Sequence, residues 1–385
     1  MNGFVKSYFE NIIPVSFILE TGTERMKLGQ GDPQFTVTMT QMPDKKSLLT
    51  STSLALGEAY MQGNLNVDHD LYEVLDVFMG QLGKFTTDRK ALKKLMDSSK
   101  SKTNQKKEVS YHYDIGNDFY QKWLDETMSY SCGYFKSETD SLYQAQVNKV
   151  DHILQKLHLE KGMTLLDIGC GWGFLLKRAA KEYGVRVVGI TLSREQYEKF
   201  RQDIQKEGLK DLLDVRLMDY RELEKCGMLF DRVVSVGMLE HVGRGNYELF
   251  MKNVHQVLQP GGLFLLHFIS GQKEYSGDAW MKKYIFPGGM LPSLREMINM
   301  LPEFDFHTLD VESLRRHYNR TLLCWIENFK KCRSEVTDTK GEVFARMWEL
   351  YLASCAASFD NGVIDIHQIL MSKGINNTLP MCRKE

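Results

Sequence analysis

From Thr164 to Ile269 the chain alternates short apolar runs with stretches of helical period. Thr164-Leu165-Leu166-Asp167 reads as a strand, Phe174 to Tyr183 as a helix stopped by Gly184, and Val185 to Ile190 as a second strand. Arg194 to Glu207 follows as a helix capped by Ser193 and stopped by Gly208, then Leu213 to Leu217 as a third strand. Asp231 to Val236 is a fourth strand, and a helix runs through Tyr247 to Leu258. Gln259-Pro260-Gly261-Gly262 reads as a turn before a fifth strand, Leu263 to Ile269. Near-continuous Val, Ile and Leu strands separated by helices predict a parallel sheet covered on both faces. Ligands of such sheets bind beyond the carboxyl ends of the strands.

Upstream the pattern changes. Val15 to Leu19 and Phe35 to Thr40 alternate as half-buried strands do, and Leu54 to Met61 and Leu71 to Leu82 have helical spacing. These predict a small α+β domain over residues 1–95. Ser98 to Lys107 holds only Ser, Lys, Thr, Asn and Gln, too polar to offset its ordering entropy by burial. Residues 96–108 are therefore expected to be a polar linker, and 109–385 a second domain. No internal repeat is visible.

A length of 385 residues suits two domains, and 43% hydrophobic with 26% charged residues is an ordinary globular composition. The net charge of −1 excludes a polycation built for nucleic acid, but the charge is segregated. Lys84 to Glu108 carries nine Lys/Arg and three Asp/Glu, a local +6 against −7 elsewhere. Such a run is either a solvated linker or a patch for anionic phosphate. No apolar run approaches the ~20 residues that span a bilayer, and Met1 to Glu10 shows no signal-peptide core. Seven scattered cysteines (132, 170, 226, 324, 332, 355 and 382) form no CxxC pair or metal-like cluster, as in a reducing cytoplasm. No metal site is expected.

The chemistry starts at Asp167-Ile168-Gly169-Cys170-Gly171-Trp172-Gly173, between the first strand and first helix. Glycines there permit positive φ and close approach of a ligand. A tight turn alone would also use them. A dinucleotide fingerprint would read G-x-G-x-x-G, whereas here the glycines alternate behind a carboxylate. D-x-G-x-G-x-G resembles the cofactor loop of class I S-adenosylmethionine-dependent methyltransferases, whose α/β fold is Rossmann-like. Many of these end the second strand with an acid for the ribose. Here Thr191-Leu192-Ser193 follows instead, so Thr191 and Gln196 are expected to supply the hydrogen bonds, with Asp219 and Tyr220 bordering the adenine.

Further segments sharpen the resemblance. His112–Tyr120 (HYDIGNDFY), Tyr130–Phe135 (YSCGYF), Met238–Gly243 (MLEHVG), Phe286–Gly289 (FPGG) and His317-Tyr318 with Thr321-Leu322 closely resemble the cyclopropane-fatty-acyl-phospholipid synthase family and its mycolic acid relatives. The resemblance runs from Val109 to about Gln368. It implies transfer of a methylene unit from S-adenosyl-L-methionine to the cis double bond of a phospholipid acyl chain, through a carbocation deprotonated by bound bicarbonate.

By the same resemblance the bicarbonate set is Cys132, Glu240, His267, Ile269 and Tyr318. Cys132 and Ile269 would offer backbone N–H groups, His267 and Tyr318 side-chain donors, and Glu240 an acceptor for the ion's hydroxyl. Taken singly, His267 reads as a core histidine, Tyr318 as a core aromatic, Cys132 as a packed small residue and Glu240 as a cap or surface residue. Cofactor contacts are expected from Tyr113, Tyr130, Ser131, Asp167, Gly169, Gly171, Gly173, Thr191, Leu192, Gln196, Asp219 and Tyr220. Cys355 matches a family cysteine and is carried as a possible active-site residue, although methyl transfer to an alkene needs no thiolate. Trp280 to Met290 is a candidate lining for an acyl tunnel. The expected setting is cytoplasmic and peripheral to the membrane, as a homodimer on an unsaturated phospholipid surface. Competing readings are a methyltransferase for a small amine or natural product, and a lipid-binding module without turnover.

Overall fold

Alternation at the start of the chain does form a sheet. The computed structural model describes residues 15–22, 24–81, 115–274 and 277–381. Strands β1 (Phe17–Thr21), β2 (Glu24–Leu28) and β3 (Thr36–Met39) precede helices α1 (Lys45–Thr50) and α2 (Thr52–Met61), then β4 (Leu65–Val67) and α3 (Leu71–Gln81). The sheet order is β2-β1-β3-β4, with β1 antiparallel to β2 and parallel to β3. Phe17, Leu19, Val37 and Met39 are buried together with Phe35 and Val74, so one face of each alternating strand makes the core. β2 (ERMKL) escapes the periodicity because its charged positions lie at the sheet edge. The basic stretch, the 96–108 linker and Tyr113 lie outside the described residues.

The second sheet is built from the strand–helix alternation. After α4 (Asn117–Gln121) and α5 (Leu142–Lys156) come β5 (Thr164–Ile168), α6 (Phe174–Tyr183), β6 (Arg186–Thr191), α7 (Arg194–Lys206) and β7 (Leu213–Leu217). Then follow β8 (Phe230–Val236), α8 (Leu239–Val242), α9 (Tyr247–Val257) and β9 (Leu258–Gly271). The chain ends with α10 (Ala279–Tyr284), α11 (Leu294–Met300), β10 (Phe306–Ser313), α12 (Arg315–Lys340), α13 (Glu342–Asp360) and β11 (Ile364–Lys373).

The strand order is β10-β11-β9-β8-β5-β6-β7. β7, β6, β5, β8 and β9 run parallel, and β10 pairs antiparallel with β11. This is the mostly parallel sheet that the sequence resemblance implies. Leu166, Ile168 and Val188 pack against α9 on one face. Leu165 and Val187 pack against α5, α6 and α7 on the other. Asp167 alternates with Leu166 and so shares the α5 face.

The predicted turn at 259–262 is instead part of β9. Phe230 pairs with Leu258 but Arg232 already pairs with Leu263, so a bulge absorbs Pro260 and Gly261 within the strand. The residues also divide into two compact units. Among the described residues, one groups the N-terminal elements with 277–287 and 319–364; the other holds 115–274, 288–318 and 365–381. α10 and α13, which lie in the 109–385 segment of the sequence, pack against the N-terminal helices α2 and α3. Long-range packing of this kind leaves no trace in a local pattern.

Candidate active site

The strand order reverses at β5, which has β6 on one side and β8 on the other. At this switch point a cavity opens at the carboxyl ends of the three strands. The glycine loop forms its floor. Gly169, Gly171 and Gly173 have φ of 92°, 55° and 81°. The N–H groups of Gly169 and Cys170 donate to Ile190 O at 3.0 and 3.1 Å, tying the loop to the end of β6. A Cβ on Gly173 would strike the Phe200 ring, whereas one on Gly171 would meet nothing, because that residue faces the cavity.

Tyr130, Ser131, Asp167, Gly169, Gly171, Gly173, Thr191, Leu192, Gln196 and Tyr220, all expected at a cofactor, line this one cavity. Ser193 N–H donates to Thr191 Oγ1 at 3.2 Å, so the Thr191 hydroxyl gives its own proton to Gln196 Oε1 at 2.9 Å. That orients the Gln196 amide and leaves its Nε2 as a donor. Asp219 is not in the lining. Its carboxylate caps the following turn and grips Arg221 at 2.9 and 2.6 Å. A carboxylate beside an arginine and unpaired N–H groups takes those partners first.

Two charged side chains dominate the loop's other flank. Asp167 is buried, and its Oδ1 has no hydrogen-bond partner. Burial pushes its carboxyl up to about 7, against the opposing pull of Lys149. Lys149, on α5, is also buried in the lining and donates to Ser131 Oγ at 3.0 Å. Burial lowers its ammonium to about 8, opposed by Asp125, Cys132 and Asp167. Gln146, one turn earlier, donates to Ser129 O and Ser131 O at 3.3 and 2.9 Å. Lys149 and Gln146 were missed from sequence, although a signal exists. Both lie among Ala145, Val150, Ile153 and Leu154 on the buried face of α5, where a lysine needs a reason.

The second constellation lies beside β9. Glu240, on α8, accepts the Ile269 N–H on Oε1 at 2.6 Å, and its Oε2 is buried without a partner. Burial pushes its carboxyl up to about 7. His267 and Ile269 alternate along β9 and share a face. Gln368 Nε2 approaches His267 Nδ1 at 3.1 Å. The amide donates, which places the ring proton on Nε2, a buried atom with no partner. Burial lowers His267 to about 3, so the ring is neutral.

Cys132 is fully buried and its thiol points to Gly133 O and Leu314 O. Tyr318 N–H donates to the same Leu314 O at 3.0 Å, one turn into the helical run. The five residues thus appear as two linked pairs, Glu240 with Ile269 and Cys132 with Tyr318, plus His267. None is in the cavity lining. That lining reaches the Glu240 segment through Met238, His241 and Val242. The Ile269 N–H, expected to face an ion, is engaged by Glu240 instead, because the buried carboxylate takes the nearest donor. After burial, Lys149 further disfavours the charged form of His267. Cys355 lies on α13 in the other compact unit. Burial, then Asp278, raises its thiol far above the ordinary range, so it is a protonated packing residue and not an activated nucleophile. Among the described residues no cluster suits a metal ion.

A family model described as mycolic acid cyclopropane synthetase matches residues 100–369, and a domain of unknown function matches residues 1–90. The chain is 39% identical over 88% of its length to the cyclopropane-fatty-acyl-phospholipid synthase of Escherichia coli K12, also covering 88% of that protein. It is 39% identical over 94% of its length to a probable fatty acid methyltransferase of Pseudomonas putida, covering 95% of it. The crystal structure of the mycolic acid cyclopropane synthase CmaA1 with S-adenosylhomocysteine (SAH) and CTAB superposes with a TM-score of 0.65 at 34% identity, over 70% of this chain and 98% of that one.

Proposed function

The chain belongs to the mycolic acid cyclopropane synthetase family and is an S-adenosylmethionine-dependent methyltransferase of lipid cyclopropane synthesis; from that premise we propose that its substrate is a cis-unsaturated acyl chain of a membrane phospholipid and its base a bound bicarbonate ion. The observation that carries this reading is a pair of buried groups without hydrogen-bond partners, the Glu240 Oε2 acceptor and the His267 Nε2–H donor. An ion with both a hydroxyl and anionic oxygens satisfies one of each, and Tyr318 and the Cys132 backbone add donors. A neutral His267 suits this role, since it donates without holding the ion as an imidazolium would.

The cavity fits the methyl donor on its own evidence. Gly171 leaves it open, Gln196 offers a donor, and Asp167 Oδ1 lacks the cation its burial calls for. S-adenosylmethionine, when bound, supplies an electrophilic methyl, and bicarbonate, when bound, supplies the base. The alkene π pair forms a carbon–carbon bond to the methyl as the carbon–sulfur bond breaks, leaving a cation on the other alkene carbon. Loss of a proton from the added methyl then frees the pair that closes the ring. The chain's part is to hold alkene and sulfonium together, keep water from the cation, and orient the base through Glu240 and His267.

Drawing an acyl chain from a bilayer costs about 0.8 kcal/mol per exposed CH2, so an apolar path must replace the lipid, with residues 280–290 as the candidate lining. We assign membrane contact to the N-terminal unit and the basic stretch 84–107, on the cytoplasmic face and as a homodimer that doubles the contact. No helix among the described residues is long and apolar enough to cross a membrane. The test uses trideuteromethyl S-adenosylmethionine with cis-unsaturated phospholipid vesicles. The lipid should gain CD2 per modified double bond. Gain of an intact CD3, or of label only on soluble amines, would contradict the proposal.

A further inference from the structure

Lys149 and Asp167 pose an energetic question that the reaction does not answer. Both are buried, both line the cavity, and they carry opposite charges on the same face of β5. Yet they do not satisfy each other. Lys149 Nζ donates to Ser131 Oγ at 3.0 Å, while Asp167 Oδ1 has no partner. Two buried charges held apart are unfavourable unless something compensates both. A ligand end with adjacent anionic and cationic groups would do so. The amino-acid end of the methyl donor is such a zwitterion.

We infer that Lys149 is a cofactor-recognition residue, which together with Ser131 takes the α-carboxylate of S-adenosylmethionine while Asp167 faces its α-ammonium. The inference rests on the proposed placement of the cofactor in this cavity. The hydrogen-bond directions support it. Lys149 donates to Ser131 Oγ, so the serine hydroxyl keeps its own proton for an anion, and Lys149 keeps two further N–H donors. Gln146 fixes the same loop through Ser129 O and Ser131 O, so the two donors are set before the ligand arrives. Ser131 adjoins Cys132, so the contact that orients the cofactor's tail also anchors the segment leading to the proposed base.

Isothermal titration with a trimmed ligand series tests this. The probes are SAH, its decarboxylated analogue and methylthioadenosine, which lacks the whole amino-acid end. Lys149→Met should weaken SAH at least about tenfold, as expected for removing one partner of a buried charged contact. It should leave methylthioadenosine and the decarboxylated analogue within about twofold of wild type, and Lys149→Arg should recover part of the loss. The wild type alone gives a second reading that no folding defect can obscure, since it should bind SAH at least about tenfold more tightly than the decarboxylated analogue. Equal loss of all three ligands in Lys149→Met, or equal wild-type affinity for SAH and the decarboxylated analogue, would overturn the inference. Gln196→Ala separates this failure from a wrong cavity. It should weaken SAH and methylthioadenosine alike. If it does so while Lys149→Met changes nothing, the role of Lys149 fails alone; if it moves neither ligand, the cavity assignment fails too.

Discussion

Glu240→Gln separates the proposed base from the cofactor cavity. The glutamine carbonyl can still accept the Ile269 N–H that Glu240 Oε1 takes at 2.6 Å, so the local backbone should hold. What changes is the other atom, where an acceptor becomes an NH2 donor. A misassigned proton partner typically costs 10²- to 10⁴-fold in proton transfer, so cyclopropane formation should fall by at least about 100-fold. SAH affinity should stay within about twofold, because Glu240 is not in the cavity lining. Stability gives an independent reading. Burial raises the Glu240 carboxyl in the folded protein to about 7, from an ordinary value of 4.5. The folded state therefore binds its proton more tightly than the unfolded state. The resulting penalty is absent below about pH 4.5, grows between the two values and is complete above about 7. At 1.36 kcal/mol per unit, it reaches about 3 kcal/mol. Glutamine removes it, so the variant should be more stable than wild type at pH 8 and indistinguishable near pH 4.5. Initial rates on phospholipid vesicles, SAH titration and urea melts at both pH values make the test. Parallel loss of turnover and cofactor affinity, or a pH-independent stability change, would refute the reasoning.

Other consequences follow from single features. Gly173→Ala places a methyl into the Phe200 ring at a φ of 81°, and should cost about 1–3 kcal/mol in urea unfolding together with a loss of SAH affinity. SAH affinity should peak between about pH 7 and 8, because Asp167 protonates below about 7 and Lys149 loses its charge above about 8; calorimetry showing a flat profile from pH 6 to 9 would contradict the charge assignments. Neutralising Lys93, Lys94, Lys100 and Lys102 should weaken sedimentation with anionic vesicles, and the deficit should shrink as salt rises; unchanged binding would make the stretch a linker only.

Much of the catalytic sheet was legible in the sequence because its strands are apolar on both faces and its helices carry local stop signals. Gly184 and Gly208 do take positive φ where they end helices, and Ser193 caps α7. The glycine loop was legible for the same reason, since backbone demands appear as residue identity. The bulge in β9 was not, because Pro260-Gly261 looks alike in a turn and in an irregular strand. β10 and β11 went unassigned because their place depends on partners far along the chain. The grip of Asp219 on Arg221, beside the cavity-lining Tyr220, was not legible because it depends on how the turn after β7 folds. Lys149 was passed over because a lysine in a helix normally reads as solvated, and only its apolar neighbours at helical spacing contradict that.

The central claim is that this chain adds a methylene to phospholipid double bonds with bicarbonate as base. Its most direct test is mass spectrometry of cis-unsaturated phospholipid vesicles incubated with the protein and S-adenosylmethionine, in buffer stripped of carbon dioxide and then resupplied. The account predicts a gain of one CH2 per modified double bond at a rate that falls on depletion and returns with added bicarbonate. Product formed at an unchanged rate without bicarbonate would contradict the assignment of the base, and no mass gain on any cis-unsaturated phospholipid would contradict the proposed substrate.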